Sequence, residues 1–149
     1  MTTPVQLTFD CRDPGRLVRF WQPLLGYEVP KPPAGHATWR DWYVFVGVPE
    51  DEIEGDGVDR LLPPEDEEGV PIWFQAVPEG KTVKNRIHLD LRVTRGREAS
   101  RADRRQAVER AVKEVQARGG SLLRLTEDEA ADHVGAVMAD PEGNEFCLA

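Results

Sequence analysis

Residues 8–29, TFDCRDPGRLVRFWQPLLGYEV, hold a strand, a helix start, a helix stop and the beginning of a second strand. The overlapping VQLTFDC alternates as a half-buried strand does. Asp13 followed by Pro14 supplies an N-cap and a proline at the first helical position, where its missing N–H is no loss. Leu17, Phe20, Trp21, Leu24 and Leu25 recur at helical spacing, and Gly26 suits the left-handed residue past a helix end. Pro23 opposes the pattern, since proline in a helix interior costs about 3 kcal/mol, and it predicts a kink or an early finish near Gln22.

Reading onward, residues 27–29 form a short strand, KPPAGHA a turn, and residues 39–48 a strand by their aromatic and β-branched content. An acidic stretch follows, then IWFQAV (72–77) as a buried strand and PEGKTVKN as a polar connector. The second half repeats this order. RIHLDLRV (86–93) is a strand, and a helix runs from about Ser100 to Arg118 with Val108, Ala111, Val112 and Val115 on its apolar face and the arginines and glutamates between them toward solvent. Gly119-Gly120 ends it, and SLLRL, HVGAVMA and NEFCLA complete three further strands. DPEGN (140–144) is a turn signal that closes the last hairpin. The halves read as a degenerate duplication offset by 82 residues, with Gln6 falling on His88 and Gly26 in the role of Gly119.

A chain of 149 residues with 40% hydrophobic content forms one compact domain with a real core. It holds no apolar run of the eighteen or so residues a membrane span needs, and its N-terminus lacks a signal-peptide pattern. Two cysteines, Cys11 and Cys147, without CxxC spacing fit a reducing compartment, so a cytoplasmic location is expected. The net charge of −8 is uneven. Residues 50–68 carry ten acidic side chains against one basic, Arg60, a net −9, and the remainder carries +1. Such a surface repels phosphate backbones, and no recognition helix or basic-aromatic stripe is present, which argues against nucleic-acid binding and anionic membranes. The acidic stretch is either a lid or a disordered insertion, with Leu61-Leu62-Pro63 as a local anchor.

Together TFDCRDPGRLVRFWQPLLGYEV, WFQAVPEGKTVKNRIHLDLRV and VMADPEGNEFCLA resemble the vicinal oxygen chelate (VOC) superfamily, and within it the small glyoxalase-like and bleomycin-resistance-like proteins. The resemblance implies an α+β fold of two βαβββ modules, pairing into a curved, incomplete mixed β-barrel with helices outside. Module one spans about 4–80 with the acidic loop at 49–70, and module two about 84–149. The concave face holds a divalent metal or a small ligand, and dimers are common, so a homodimer is expected.

Metal-using members place one ligand on the first and one on the last strand of each module. The matching positions are Gln6, Gln75, His88 and Cys147, of which only His88 is a strong ligand type. The set is depleted for Zn, Ni, Mn or Fe. Side chains two apart share a strand face, so Asp90 accompanies His88, Glu145 accompanies Cys147, Thr8 accompanies Gln6 and Trp73 accompanies Gln75. Glu145 therefore offers a displaced carboxylate, giving a metal set of His88, Glu145 and Cys147, with Asp90 near.

Each of these residues also has a plainer reading. His88 is a ligand, a general base oriented by Asp90 or Glu145, or a core histidine. Cys147 reads as a small buried hydrophobe. Trp39, Trp42, Tyr43 and Trp73 are pocket or core, with Trp73 the pocket choice, whereas Trp21 is core. Lys84, Asn85 and Arg86 form an anion clamp or, more simply, an intermodule hydrogen-bond network; His36 and His133 are ordinary surface or loop residues. Two functions stand. One is a protein that binds a small organic ligand through Gln6, Trp73, Gln75, His88 and Asp90 without a full metal site. The other is a metal-dependent lyase, isomerase or related enzyme acting on a small vicinal-oxygen substrate, with His88 and Glu145 catalytic.

Overall fold

A computed structural model of the chain describes residues 3–149. It is α+β, with two mixed sheets. The chain divides into two compact units, the first ending at Gly80 and the second beginning at Lys81.

In the first unit β1 (Leu7–Cys11) leads into α1 (Pro14–Leu25). The Asp13 carboxylate accepts the Arg16 backbone N–H at 2.8 Å, so the expected N-cap forms. Gly26 stands at φ 67° past the helix end, and the N–H groups of Gly26 and Tyr27 both donate to the Gln22 carbonyl. The early finish near Gln22 does not occur, because α1 continues through Pro23 to Leu25. Proline removes only the bond to the Arg19 carbonyl, on the exposed side of the helix, and the glycine cap secures the turn that follows. Leu17, Phe20 and Trp21 are buried, and Phe9 lies 5.8 Å from the Trp21 ring and 5.6 Å from Phe74.

Residues 39–48 are not a strand: Trp39–Phe45 is helix α2. Thr38 Oγ1 accepts the Asp41 N–H at 3.0 Å, and this Thr-x-x-Asp cap starts a helix despite the aromatic and β-branched content that favours strands. The helical spacing brings Trp39 to Tyr43 (6.0 Å between rings) and His36 to Trp42 and Phe45.

The strand expected at 39–48 lies instead inside the acidic segment, as β2 (Arg60–Leu61). Leu61 is fully buried and Ile53 nearly so, and both tie that segment to the body. β2 pairs antiparallel with β3 (Ile72–Ala76), which pairs parallel with β1; Glu28 bridges Leu62 on the other side of β2.

In the second unit β4 covers only Asp90–Leu91, α3 spans Arg101–Ala117 behind a Ser100 N-cap, and β5 (Ser121–Asp128), β6 (His133–Ala139) and β7 (Glu145–Leu148) follow. The strand order is β4-β7-β6-β5, with β4 and β7 parallel and the rest antiparallel. The first unit repeats this pattern as β1, β3, β2 and the Glu28 bridge. The duplication is thus a repeat of pairing order and direction, with α2 and the first part of the acidic segment inserted between the bridge and β2.

Val108, Val112 and Val115 of α3 are buried as expected, and so is Arg104, one turn before Val108. Its guanidinium donates to the Asp132 carbonyl at 2.8 Å and to the Asp132 carboxylate, which holds that carboxyl below its usual range. The DPEGN turn is built around Asp140. Its Oδ1 accepts the N–H groups of Glu142 and Asn144, and Gly143 takes the φ of 87° that the turn requires.

Candidate functional site

In each sheet the helix covers one face, and residues two apart along the strands share the other. In the first unit α1 packs against Ile72, Phe74 and Leu61, so Thr8, Trp73, Gln75 and Arg60 stand on the opposite face. In the second unit Phe146 and Leu148 are buried under α3, leaving Asp90 and Cys147 on the opposite face. Thr8 lies opposite Trp73 across β1 and β3 as Asp90 lies opposite Cys147 across β4 and β7. Trp73 is therefore the repeat counterpart of Cys147, with Gln75 one pleat further on.

The first unit gathers its polar groups around one carboxylate. Asp59 Oδ2 accepts the Tyr43 hydroxyl at 2.5 Å and the Trp73 indole N–H at 2.9 Å, and Oδ1 accepts Arg60 Nε at 2.8 Å. Arg60 Nη2 also donates to the Tyr43 oxygen at 2.6 Å, and the guanidinium lies 4.4 Å over the Trp39 ring. Burial, then the Asp59 carboxylate, pushes the Tyr43 phenol up to about 12. Trp39 uses its own indole N–H on the Pro30 carbonyl, 2.7 Å away. The two indoles thus have satisfied donors and offer only their apolar rings.

Two cavities flank this network. One, about 450 Å³, is bordered by Gln6, Lys31, Trp39, Arg60, Leu62 and Trp73. The other, about 240 Å³, lies on Tyr43, Ile53, Asp59, Trp73 and Gln75. Trp73 borders both, and with it Gln6 and Gln75 each border one. Asp59, Arg60 and Lys31 were not singled out from the sequence as site residues. Arg60 carried a signal, as the only cation among ten acidic residues.

In the second unit His88, Asp90 and Cys147 come together. His88 Nδ1 is 3.2 Å from Asp90 Oδ1 and 3.8 Å from Cys147 Sγ, and the three could hold a metal ion. Ligand atoms bound tetrahedrally at about 2.0–2.3 Å stand roughly 3.3–3.8 Å apart, so these separations suit a zinc-like ion. Burial, then the hydrogen bond with Asp90, raises the Cys147 thiol.

Glu145 is engaged elsewhere. Lys84 Nζ sits 2.6 Å and Lys81 Nζ 3.6 Å from its carboxylate, and the Lys84 hydrogen bond holds that carboxyl below its usual range. Asn85 Oδ1 accepts the Glu145 backbone N–H, so Lys84 and Asn85 serve as a structural network. His36 pairs with Asp41 and His133 with Thr126.

The model of the glyoxalase-like domain family matches residues 6–149. The chain belongs to the glyoxalase-like domain family. Solved structures share its fold. A glyoxalase/bleomycin resistance protein/dioxygenase family enzyme from Burkholderia phytofirmans is 19% identical with a TM-score of 0.56, over 96% of this chain and 94% of that one. The fosfomycin resistance protein FosX from Mesorhizobium loti is 12% identical with a TM-score of 0.57, over 99% and 91%. FosX from Listeria monocytogenes, solved with Mn(II) and a dihydroxypropylphosphonic acid, is 12% identical with a TM-score of 0.59, over 99% and 90%. At these identities the likeness is one of fold. Comparison with curated protein sequences gives no match. Among the described residues no helix of this glyoxalase-like domain is long and apolar enough to cross a membrane.

Proposed function

We propose that this glyoxalase-like domain binds a small organic ligand on the open face of the first unit's sheet. The observation that carries the reading is the cavity of about 450 Å³ beside Trp73, with apolar walls and few polar anchors. Binding sites for small molecules have this size and composition. The Asp59 hydrogen bonds fix Trp73 and Arg60 in place before a ligand arrives, which lowers the ordering cost of binding. Gln6 supplies a neutral donor and acceptor at the margin of this cavity, and Gln75 does so in the neighbouring cavity on the other side of Trp73. The test is titration with a panel of small aromatic compounds followed by tryptophan fluorescence, in the wild type and in Trp73→Phe. Saturable quenching that weakens in Trp73→Phe supports the reading; no saturable change with any compound contradicts it.

A second reading rests on the His88, Asp90 and Cys147 cluster. These three would hold a divalent ion, which when bound supplies Lewis-acid polarisation of substrate oxygens. His88 would then serve as a ligand, with Glu145 kept on its lysines. Elemental analysis of protein purified without a metal column decides this reading. Stoichiometric metal lost in His88→Ala supports a metal-dependent lyase or isomerase, and metal-free protein that takes up no Zn, Ni, Mn or Fe(II) contradicts it.

We also infer a homodimer, supported by strongly exposed Val83, Ile87 and Leu125 in the second unit. A monomeric mass by light scattering at tens of micromolar would overturn it. Neither Cys11 nor Cys147 is in a disulfide, which supports a reducing, cytoplasmic setting.

A further inference from the structure

The cavity proposed above as the ligand site carries a charge pattern that narrows the ligand class. Two cations border it, Lys31 and Arg60, and none of the residues lining it is acidic. This is notable in a chain of net charge −8, in which a random concavity would meet carboxylates. Lys31 forms no ion pair among the described residues.

Arg60 is more constrained. Its Nε and Nη2 are spent on Asp59 and Tyr43, and its plane is held over Trp39. Among the described residues nothing accepts from Nη1. A guanidinium fixed on one edge and left open on another is a preset donor, and an anion that reaches it need not order the side chain. Beside these cations the walls are apolar, from the Trp73 ring and Leu62, and the Trp73 N–H is already taken by Asp59.

We propose that this cavity takes a planar aromatic carboxylate, its ring on Trp73 and Leu62 and its carboxylate on Arg60 Nη1 and Lys31. The proposal rests on the ligand-binding reading above and adds to it the sign of the ligand's charge. The net charge of the protein opposes anions at long range, but screening confines that effect to about 10 Å at ordinary ionic strength, so the local cations decide. Charge-assisted hydrogen bonds are about twice as strong as neutral ones.

The test compares 2-naphthoate with 2-naphthamide, which share a ring system and differ in charge. Titration is followed by tryptophan fluorescence and calorimetry on the full chain, with wild type, Arg60→Gln and Lys31→Gln, each variant checked for fold by circular dichroism. The expected result is about tenfold tighter binding of 2-naphthoate, falling to near parity in Arg60→Gln and narrowing in Lys31→Gln, with 2-naphthamide affected little by the lysine change. Equal binding of the two probes to the wild type overturns the charge assignment and leaves the ligand-binding reading standing. A preference for 2-naphthoate that survives both substitutions overturns the assignment to these residues. Binding of neither probe overturns the proposal and the reading beneath it. Lys31 lies on the surface, outside any ion pair among the described residues, so Lys31→Gln keeps the test decisive should Arg60→Gln fail to fold.

Discussion

The indole N–H of Trp73 donates to the carboxylate of Asp59 at 2.9 Å, joining the last strand of the first unit's sheet to the residue just before β2. The same carboxylate oxygen accepts the Tyr43 hydroxyl, so helix α2, strand β3 and the acidic segment meet at one group. The segment that composition marks as a solvated loop thereby becomes part of the site's wall.

Tyr43 provides the first check on this arrangement. Its phenol is pushed up to about 12 by burial and by Asp59, above the ordinary value near 10 of the unfolded chain. A group raised on folding contributes stability that is fully present below pH 10 and is lost as pH rises through 12. The chain should therefore lose on the order of 1 kcal/mol across that window, the figure being reduced for the phenol's partial solvation. Absorbance titration near 295 nm should show one of the two tyrosines ionising near 12. In Asp59→Asn that step should move down; an unchanged step would break the assignment.

Leu61 tests whether the acidic segment is structural. It is fully buried, although it lies among ten acidic residues in a stretch of 19. Leu61→Ala should cost about 2–5 kcal/mol, whereas Leu62→Ala, at the exposed neighbour, should cost much less. Urea unfolding measures both, and similar small losses for the two would mean that the segment is not docked.

Cys147 should be a slow thiol. Burial and Asp90 raise it, so its reaction with an aromatic disulfide reagent should show a midpoint above the ordinary thiol range. Asp90→Asn should lower the midpoint and speed the reaction at pH 8. Cys11 is buried and should remain silent in native protein. A fast Cys147 at neutral pH, insensitive to Asp90, would contradict the geometry of the cluster.

Much of the fold was legible because its signals are local. Asp13-Pro14, Gly26, Ser100 and DPEGN each act within four or five residues, and the structure builds a cap or a turn at each of them. The region between Val29 and Ile72 was not legible in the same way. Its aromatic and β-branched residues suggested a strand, but the Thr38 cap selects a helix, and Leu61 makes a strand of a charged stretch through a partner eleven residues away. Strand identity there depends on tertiary pairing, which composition does not reveal. The site followed the same division. His88, Asp90 and Cys147 were placed by alternation along strands and by a family position, and they meet. Asp59 and Arg60 escaped notice because their role depends on which strand β2 joins.

The central claim is that the open face beside Trp73 holds a small ligand, and NMR of the four indole N–H signals tests it most directly. On titration with 2-naphthoate the Trp73 indole signal should shift most, with that of Trp39 following, while that of Trp21, in the core under α1, stays fixed. Movement of no indole signal, or equal movement of all four, would contradict the account.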